Sequence, residues 1–176
     1  MDLLIFWDEA APSGIQSAFL RDLNPLLPIR SRVCESPVVV SGFIPSRKQT
    51  NATVLLDSLD LYKKRSGEKD LILLVVSDDL CRSCDEYLFG LARRTTGNAV
   101  VSTARMDSEF YGKASCDEDL LDRLVKESAH EVGHLLGLAH CQNAECIMFN
   151  PLLLDDMSRQ KRWFCPTCQE NLQTVE

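Results

Sequence analysis

The sequence predicts a mixed β-sheet with helices packed on it, in a single α/β or α+β layer arrangement. Three observations carry that prediction. Apolar runs and helically periodic segments follow one another in the order β-α-β-α-β-β-β-α. One run, residues 71–76 (LILLVV), is apolar at every position, as a central strand covered on both faces must be. The 176 residues, 45% hydrophobic and 26% charged, suit one domain that buries a core without covalent staples.

Taken in order, residues 3–7 (LLIFW) are a compact apolar run expected to form a buried first strand. Pro12-Ser13-Gly14 breaks it, and Ile15 to Leu23 carries apolar residues at helical intervals up to Pro25. Residues 37–44 (PVVVSGFI) are rich in β-branched side chains and read as the second strand. Asn51 is placed to cap a helix through Leu55, Leu56, Leu59 and Leu61, and Lys63-Lys64-Arg65 suit the negative end of its dipole. After the apolar run at 71–76, residues 87–92 and 99–104 form two strands joined by the polar turn 93–98 as a hairpin. The second of these carries polar residues and is expected nearer an edge.

The long helix that follows is well specified. Ser115 with Glu118 matches a capping box, and Asp117 and Asp119 add negative charge to the first turn. Leu121, Leu124, Val125, Val132, Leu135 and Leu136 supply a face to bury. Glu127, His130, Glu131 and His134 fall on another. Gly137 is the one plausible boundary within the domain, dividing 1–137 from a smaller part, 138–176.

His130 and His134 are four apart, one helical turn, and can hold one metal ion from a single face. Gly137 stands where the helix must stop so that His140 can return to the same ion. All three histidines of the chain lie between positions 130 and 140. Three neutral imidazoles leave zinc its full charge and one open position, where bound water has a pKa of ~7 instead of ~15.7. Glu131 is positioned to take the proton as water attacks a carbonyl and to pass it to the departing amine. The reaction so predicted is metal-assisted hydrolysis of an amide. A serine or cysteine nucleophile would need a further histidine, and the chain has none to spare.

Cys141-x4-Cys146 and Cys165-x2-Cys168 follow at once, two pairs whose spacing suits a tetrahedral thiolate zinc site. Four sulfurs leave no place for substrate, so this second zinc is expected to be structural and to fasten the short C-terminal part. Because His140 and Cys141 are neighbours, closing the thiolate site should also help place the third histidine. Cys34, Cys81, Cys84 and Cys116 are expected to be reduced structural thiols, although Cys81-x2-Cys84 leaves a redox pair open.

The formal net charge of −7 and the short basic clusters argue against nucleic acid or an anionic membrane as partner. The N-terminus has no positive leader, and no apolar stretch approaches the ~20 residues that cross a bilayer. A cytoplasmic monomer acting on peptide or protein is therefore expected.

HEVGHLLGLAHC at 130–141, Cys146-Ile147-Met148 and the terminal Cys165-x2-Cys168 resemble the archaemetzincin family of zinc metallopeptidases, in the metzincin clan. The resemblance covers roughly residues 40 to 170 and includes Ser46 to Gln49, Asp79-Leu80, Leu88 to Ala92 and Val100 to Arg105. It implies a metzincin-like twisted mixed sheet over an active-site helix, with a small C-terminal part. It also implies that Met148 is the Met-turn methionine beneath the catalytic zinc. Asn150 stands where some other metzincins place a ligating tyrosine, so no further ligand is assigned. By analogy, residues 99–103 are expected to be the edge strand that pairs with extended substrate. The resemblance further implies peptidase activity, with aminopeptidase action one form of it. A non-catalytic, zinc-stabilised peptide-binding module is the alternative.

Overall fold

The computed structural model describes residues 1–83 and 87–173. Its main sheet has the order β2-β1-β5-β8-β7. These strands are β1 (Leu3–Trp7), β2 (Ser31–Glu35), β5 (Leu71–Val76), β7 (Gly90–Arg93) and β8 (Asn98–Ser102). All neighbours are parallel except β7 and β8, which form the expected antiparallel hairpin. A small second sheet joins β3 (Phe43–Ile44), β4 (Gln49–Asn51) and β6 (Leu80–Cys81).

The alternating side chains of β1 and β5 divide the interior in two. Leu3, Ile5, Trp7, Leu71, Leu73 and Val75 face a core shared with α1 (Gln16–Leu23) and α3 (Asp117–Leu135). Leu4, Phe6, Ile72, Leu74 and Val76 face a second core under α2 (Ala52–Ser66). Both strands are buried over their whole length because helices cover both sheet faces, the layering that the continuous apolar runs require. Asn51 caps α2 by accepting from the Thr53 N–H at 2.9 Å, and Gly67 closes the helix in a left-handed conformation after its basic last turn.

Several expectations are corrected. Residues 37–42 form no strand: after Glu35 the chain leaves the main sheet, and Val38 and Val40 pack against the second core as irregular chain. The strand beside β1 is instead SRVCE, residues 31–35, which occupies an edge and so carries little of the apolar signal that marks buried strands. The edge of the hairpin is β7, not the segment 99–104. β8 is fully buried between β5 and β7, with the side chain of Asn98 hydrogen-bonded to Asp60 and that of Ser102 to the Asp78 carbonyl. Those polar residues mark the two ends of an internal strand, where the Asn98 amide nitrogen and the Ser102 hydroxyl find partners. Ser115 makes no capping box: its hydroxyl bonds Asp107, and α3 starts after Cys116 with no side-chain cap. The acidic first turn of Asp117, Glu118 and Asp119 is present and complements the helix dipole.

Beyond α3 come α4 (Leu154–Arg159) and α5 (Pro166–Gln173). Met157, Phe164, Cys165, Cys168 and Leu172 join the core of the α1 and α3 side. Arg162 ties this segment back through ion pairs at 2.6 Å to Asp122 on α3 and to Asp22 on α1.

Candidate metal centres and cleft

The helix α3 runs beneath β7 and β8 and delivers His130 and His134 from its final turns. Leu135 ends it, Gly137 takes a φ of +98°, and the chain turns back to bring in His140. The three rings converge, with centroids 4.6, 4.8 and 5.3 Å apart. One nitrogen from each lies within 4.8 Å of the others.

The orientation of two rings is fixed from behind. Nδ1 of His130 sits 2.8 Å from the Ile147 carbonyl and Nδ1 of His134 sits 2.9 Å from that of Leu138. A carbonyl can only accept, so both Nδ1 atoms carry hydrogen and both Nε2 atoms present lone pairs, 3.0 Å apart. Burial holds His130 in the neutral form, its pKa lowered to about 3, and lowers that of His134 as well. Neutral rings with converging lone pairs are the donor set zinc takes, so the residues present fit the metal.

Met148 is fully buried, with its side chain against Gly133 on the helix that carries His130 and His134. A β-carbon built on Gly133 would lie 2.5 Å from the Met148 sulfur, so only glycine lets the two segments approach this closely. The segment 146–149 is held by the buried amide of Gln160, whose nitrogen lies 2.9, 3.2 and 3.3 Å from the carbonyl oxygens of Phe149, Ile147 and Cys146. Sequence reasoning missed Gln160, and nothing local marks it, since its partners lie 11 to 14 residues away in the chain.

Cys141, Cys146, Cys165 and Cys168 gather as the second group, with sulfurs within 4.8 Å of one another and those of Cys141 and Cys165 3.8 Å apart. Zn–S bonds of about 2.3 Å at tetrahedral angles place sulfurs about 3.8 Å apart, so this cluster also fits zinc. Backbone N–H donation lowers the pKa of Cys165, while burial raises those of Cys146 and Cys168. The groups are joined through the backbone: the N–H of Cys141 donates to the Met148 carbonyl at 2.8 Å. Among the described residues these are the two groups of three or more His, Cys or carboxylate side chains close enough to share an ion, and Cys34, Cys81 and Cys116 belong to neither. Cys84, and with it the redox pair, lies outside the described residues.

A cleft of about 760 Å³ opens over the histidines. Glu131, Glu127, His130, His134, His140, residues 87–92 and residues 150–152 line it. The strand beside it is thus β7, at Gly90 to Ala92, and the segment 99–103 lies one strand further in. Glu131 is 5% exposed, and burial together with the neighbouring Glu127 raises its pKa well above the usual carboxylate value. No helix among the described residues is long and apolar enough to cross a membrane.

Residues 40–174 match the model of peptidase family M54. The chain is 42% identical over 137 residues to the archaemetzincin of Pyrobaculum aerophilum, covering 77% of this chain and 79% of that one. It is 35% identical over 133 residues to that of Thermococcus kodakarensis, covering 76% and 71%. A zinc-dependent peptidase from Methanocorpusculum labreanum superposes with a TM-score of 0.91 at 35% identity over 97% of this chain and 99% of that one. The archaemetzincin of Methanopyrus kandleri gives 0.83 at 30% identity over 98% and 93%. With the family model spanning most of its length and the same fold in these relatives, the chain belongs to peptidase family M54, the archaemetzincins, and its class is that of the zinc metallopeptidases.

Proposed function

We propose that this protein hydrolyses peptide bonds in the cleft under β7, with Glu131 as general base and His130, His134 and His140 holding the catalytic zinc. The single observation that carries the proposal is the convergence of three histidine rings, two with their Nε2 lone pairs turned inward, beside the buried carboxyl of Glu131 in an open cleft. Zinc bound there supplies a Lewis acid that polarises the scissile carbonyl and brings the pKa of water to ~7.

The chain's own residues do the rest. The outer edge of β7, which pairs with no strand among the described residues, offers backbone N–H and C=O groups to an extended peptide. Glu131 takes a proton from the attacking water as the C–O bond forms. It returns that proton to the amide nitrogen as the C–N bond breaks, so the carboxylate is regenerated. Cys141, Cys146, Cys165 and Cys168 hold a second, structural zinc, for a total of two ions per chain. Residues 1–176 act as one domain, with 1–137 carrying the sheet and helix and 138–176 the thiolate site. The core that runs from Leu3 to Leu172 supports that division into parts of one body.

The test is Glu131→Ala in zinc-loaded protein against a mixed peptide library. The variant should retain two zinc ions and lose hydrolysis. Retained turnover sinks Glu131 as base, and a total of three ions sinks the assignment of the remaining cysteines. The bonds cut separate aminopeptidase from endopeptidase action. Tight peptide binding without turnover by the loaded wild type would instead assign a binding module, a role for which a base beside the metal has no use.

A further inference from the structure

We infer that Arg94 is a specificity-determining residue: its guanidinium binds a carboxylate of the substrate, carried either by an acidic side chain or by the peptide's C-terminus. The inference rests on the reading of this cleft as the place where a peptide is held and cut, and it names what that peptide must carry.

Two arginines stand side by side at the end of β7, and the alternation of a strand sends them to opposite faces of the sheet. Arg93 turns toward α2 and is neutralised there by ion pairs to Asp57, at 2.8 Å, and to Asp60. Arg94 turns the other way, into the cleft, where it shares the lining with His134, Gly137, Leu138 and His140. A β-carbon built on Gly137 would lie 2.8 Å from Nη2 and 3.1 Å from Cζ of Arg94, so the guanidinium rests against bare backbone at the turn that brings in His140. Its own backbone is held as well, because the N–H of Gly97 reaches the carbonyls of Arg93 and Arg94, at 3.0 and 3.2 Å, and closes the hairpin turn.

What Arg94 lacks is a partner. Among the described residues it forms no ion pair and its side chain makes no hydrogen bond, whereas Arg21, Arg93, Arg105, Arg123 and Arg162 are each paired with an aspartate. A guanidinium carries five N–H donors in a planar fork that matches the two oxygens of a carboxylate. The residue is exposed, so those donors are open to whatever enters the cleft. The acids of the site do not occupy them. Glu127 and Glu131 lie under Gly90, where a β-carbon would come 3.0 Å from Oε1 of the first and 2.9 Å from Oε1 of the second. Arg94 follows Gly90 by four residues, and a strand advances ~3.3 Å per residue, so the cation stands ~13 Å further along. An extended peptide on that edge would bring to it a carboxylate within about four residues of the bond cut beside Glu131.

The test is peptide binding by zinc-loaded Glu131→Ala protein, measured by calorimetry. One set of peptides carries a single glutamate at successive positions, each matched by glutamine, and a second set ends in a free carboxylate, matched by the amide. Glutamate at one position, or the free terminus, should bind ~10-fold tighter than its uncharged match, the size expected of a charge-assisted hydrogen bond partly open to water. Whichever set shows the difference identifies the source of the carboxylate. Arg94→Gln on the same background should bring the ratio to within ~2-fold of one, as an unpaired polar side chain offers no charge, and Arg94→Glu should reverse its sign. Should one Arg94 variant fail to fold, the other still decides. With Glu131 intact, the same ratio should appear in kcat/KM.

Equal binding across every matched pair, or none, overturns the inference, and so does a preference that survives Arg94→Gln. Failure of the parent reading looks different. Peptides cut by the Glu131→Ala protein, or left uncut by the loaded wild type, remove the assigned base while the ratio between matched peptides still reports on Arg94.

Discussion

Gln160→Met should loosen the converging histidines from a distance. The substitution keeps the volume of the side chain and deletes the amide that lies 2.9 Å from the Phe149 carbonyl, 3.2 Å from that of Ile147 and 3.3 Å from that of Cys146. The three acceptors do not lose equally. Cys146 still receives the Phe149 N–H, and Ile147 still receives His130 Nδ1, whereas Phe149 has only the glutamine among the described residues. One half-buried carbonyl is therefore left without a donor, which costs up to about 1–3 kcal/mol. The effect on metal follows from the chain of contacts: Gln160 holds the Ile147 carbonyl, and that carbonyl sets the His130 ring. Outer-shell changes of this kind weaken metal binding by ~10–100-fold, and one step further removed the lower end is expected. Denaturant unfolding of the zinc-loaded protein reads the first quantity, and competition with a graded chelator reads the second. Unfolding within ~0.5 kcal/mol of wild type, together with unchanged zinc affinity, would refute the reasoning.

Other expectations concern neighbouring parts of the site. Cys165→Ser should release the structural zinc and also lower occupancy of the histidine site, because Cys141 is bonded to Met148 and adjoins His140; zinc measured per chain should fall by more than one ion. Gly133→Ala places a methyl against the Met148 sulfur, and the overpacking should cost ~1–3 kcal/mol in thermal denaturation. Burial raises the pKa of Glu127 above its ordinary 4.5 to about 7, and raises that of Glu131, so the folded metal-free protein binds these protons more tightly than the unfolded chain. That contribution favours the folded state at low pH and is lost as pH rises from about 4.5 through 7. Glu127→Gln should therefore gain stability relative to wild type across that window, read by chemical denaturation at each pH, and a difference that stays flat would contradict the raised values.

The carboxylate pair also shows what spacing alone conveys. Glu127 was legible as a residue on the ligand face, four positions before Glu131, but periodicity could not say that the two would meet under Gly90. The same limit explains the strand errors. Residues 37–44 have the β-branched composition of a strand and residues 31–35 do not, yet the partner available to β1 lies at 31–35. Pairing is a property of two segments, and composition reports on one.

What the sequence determined by itself were the features written in local spacing: the capped helix at 52–66, the buried runs at 3–7 and 71–76, the helix bearing His130 and His134, and both side-chain groups able to hold a metal ion. Each rests on neighbours within a few residues, where helical and strand periods force the geometry. Tertiary structure alone decided which strand borders the cleft, that Glu127 and Glu131 both lie against Gly90, and that Gln160 supports the loop carrying Met148. Those contacts join residues brought together by packing, and the energy that selects them belongs to the assembled core, not to any one stretch of chain.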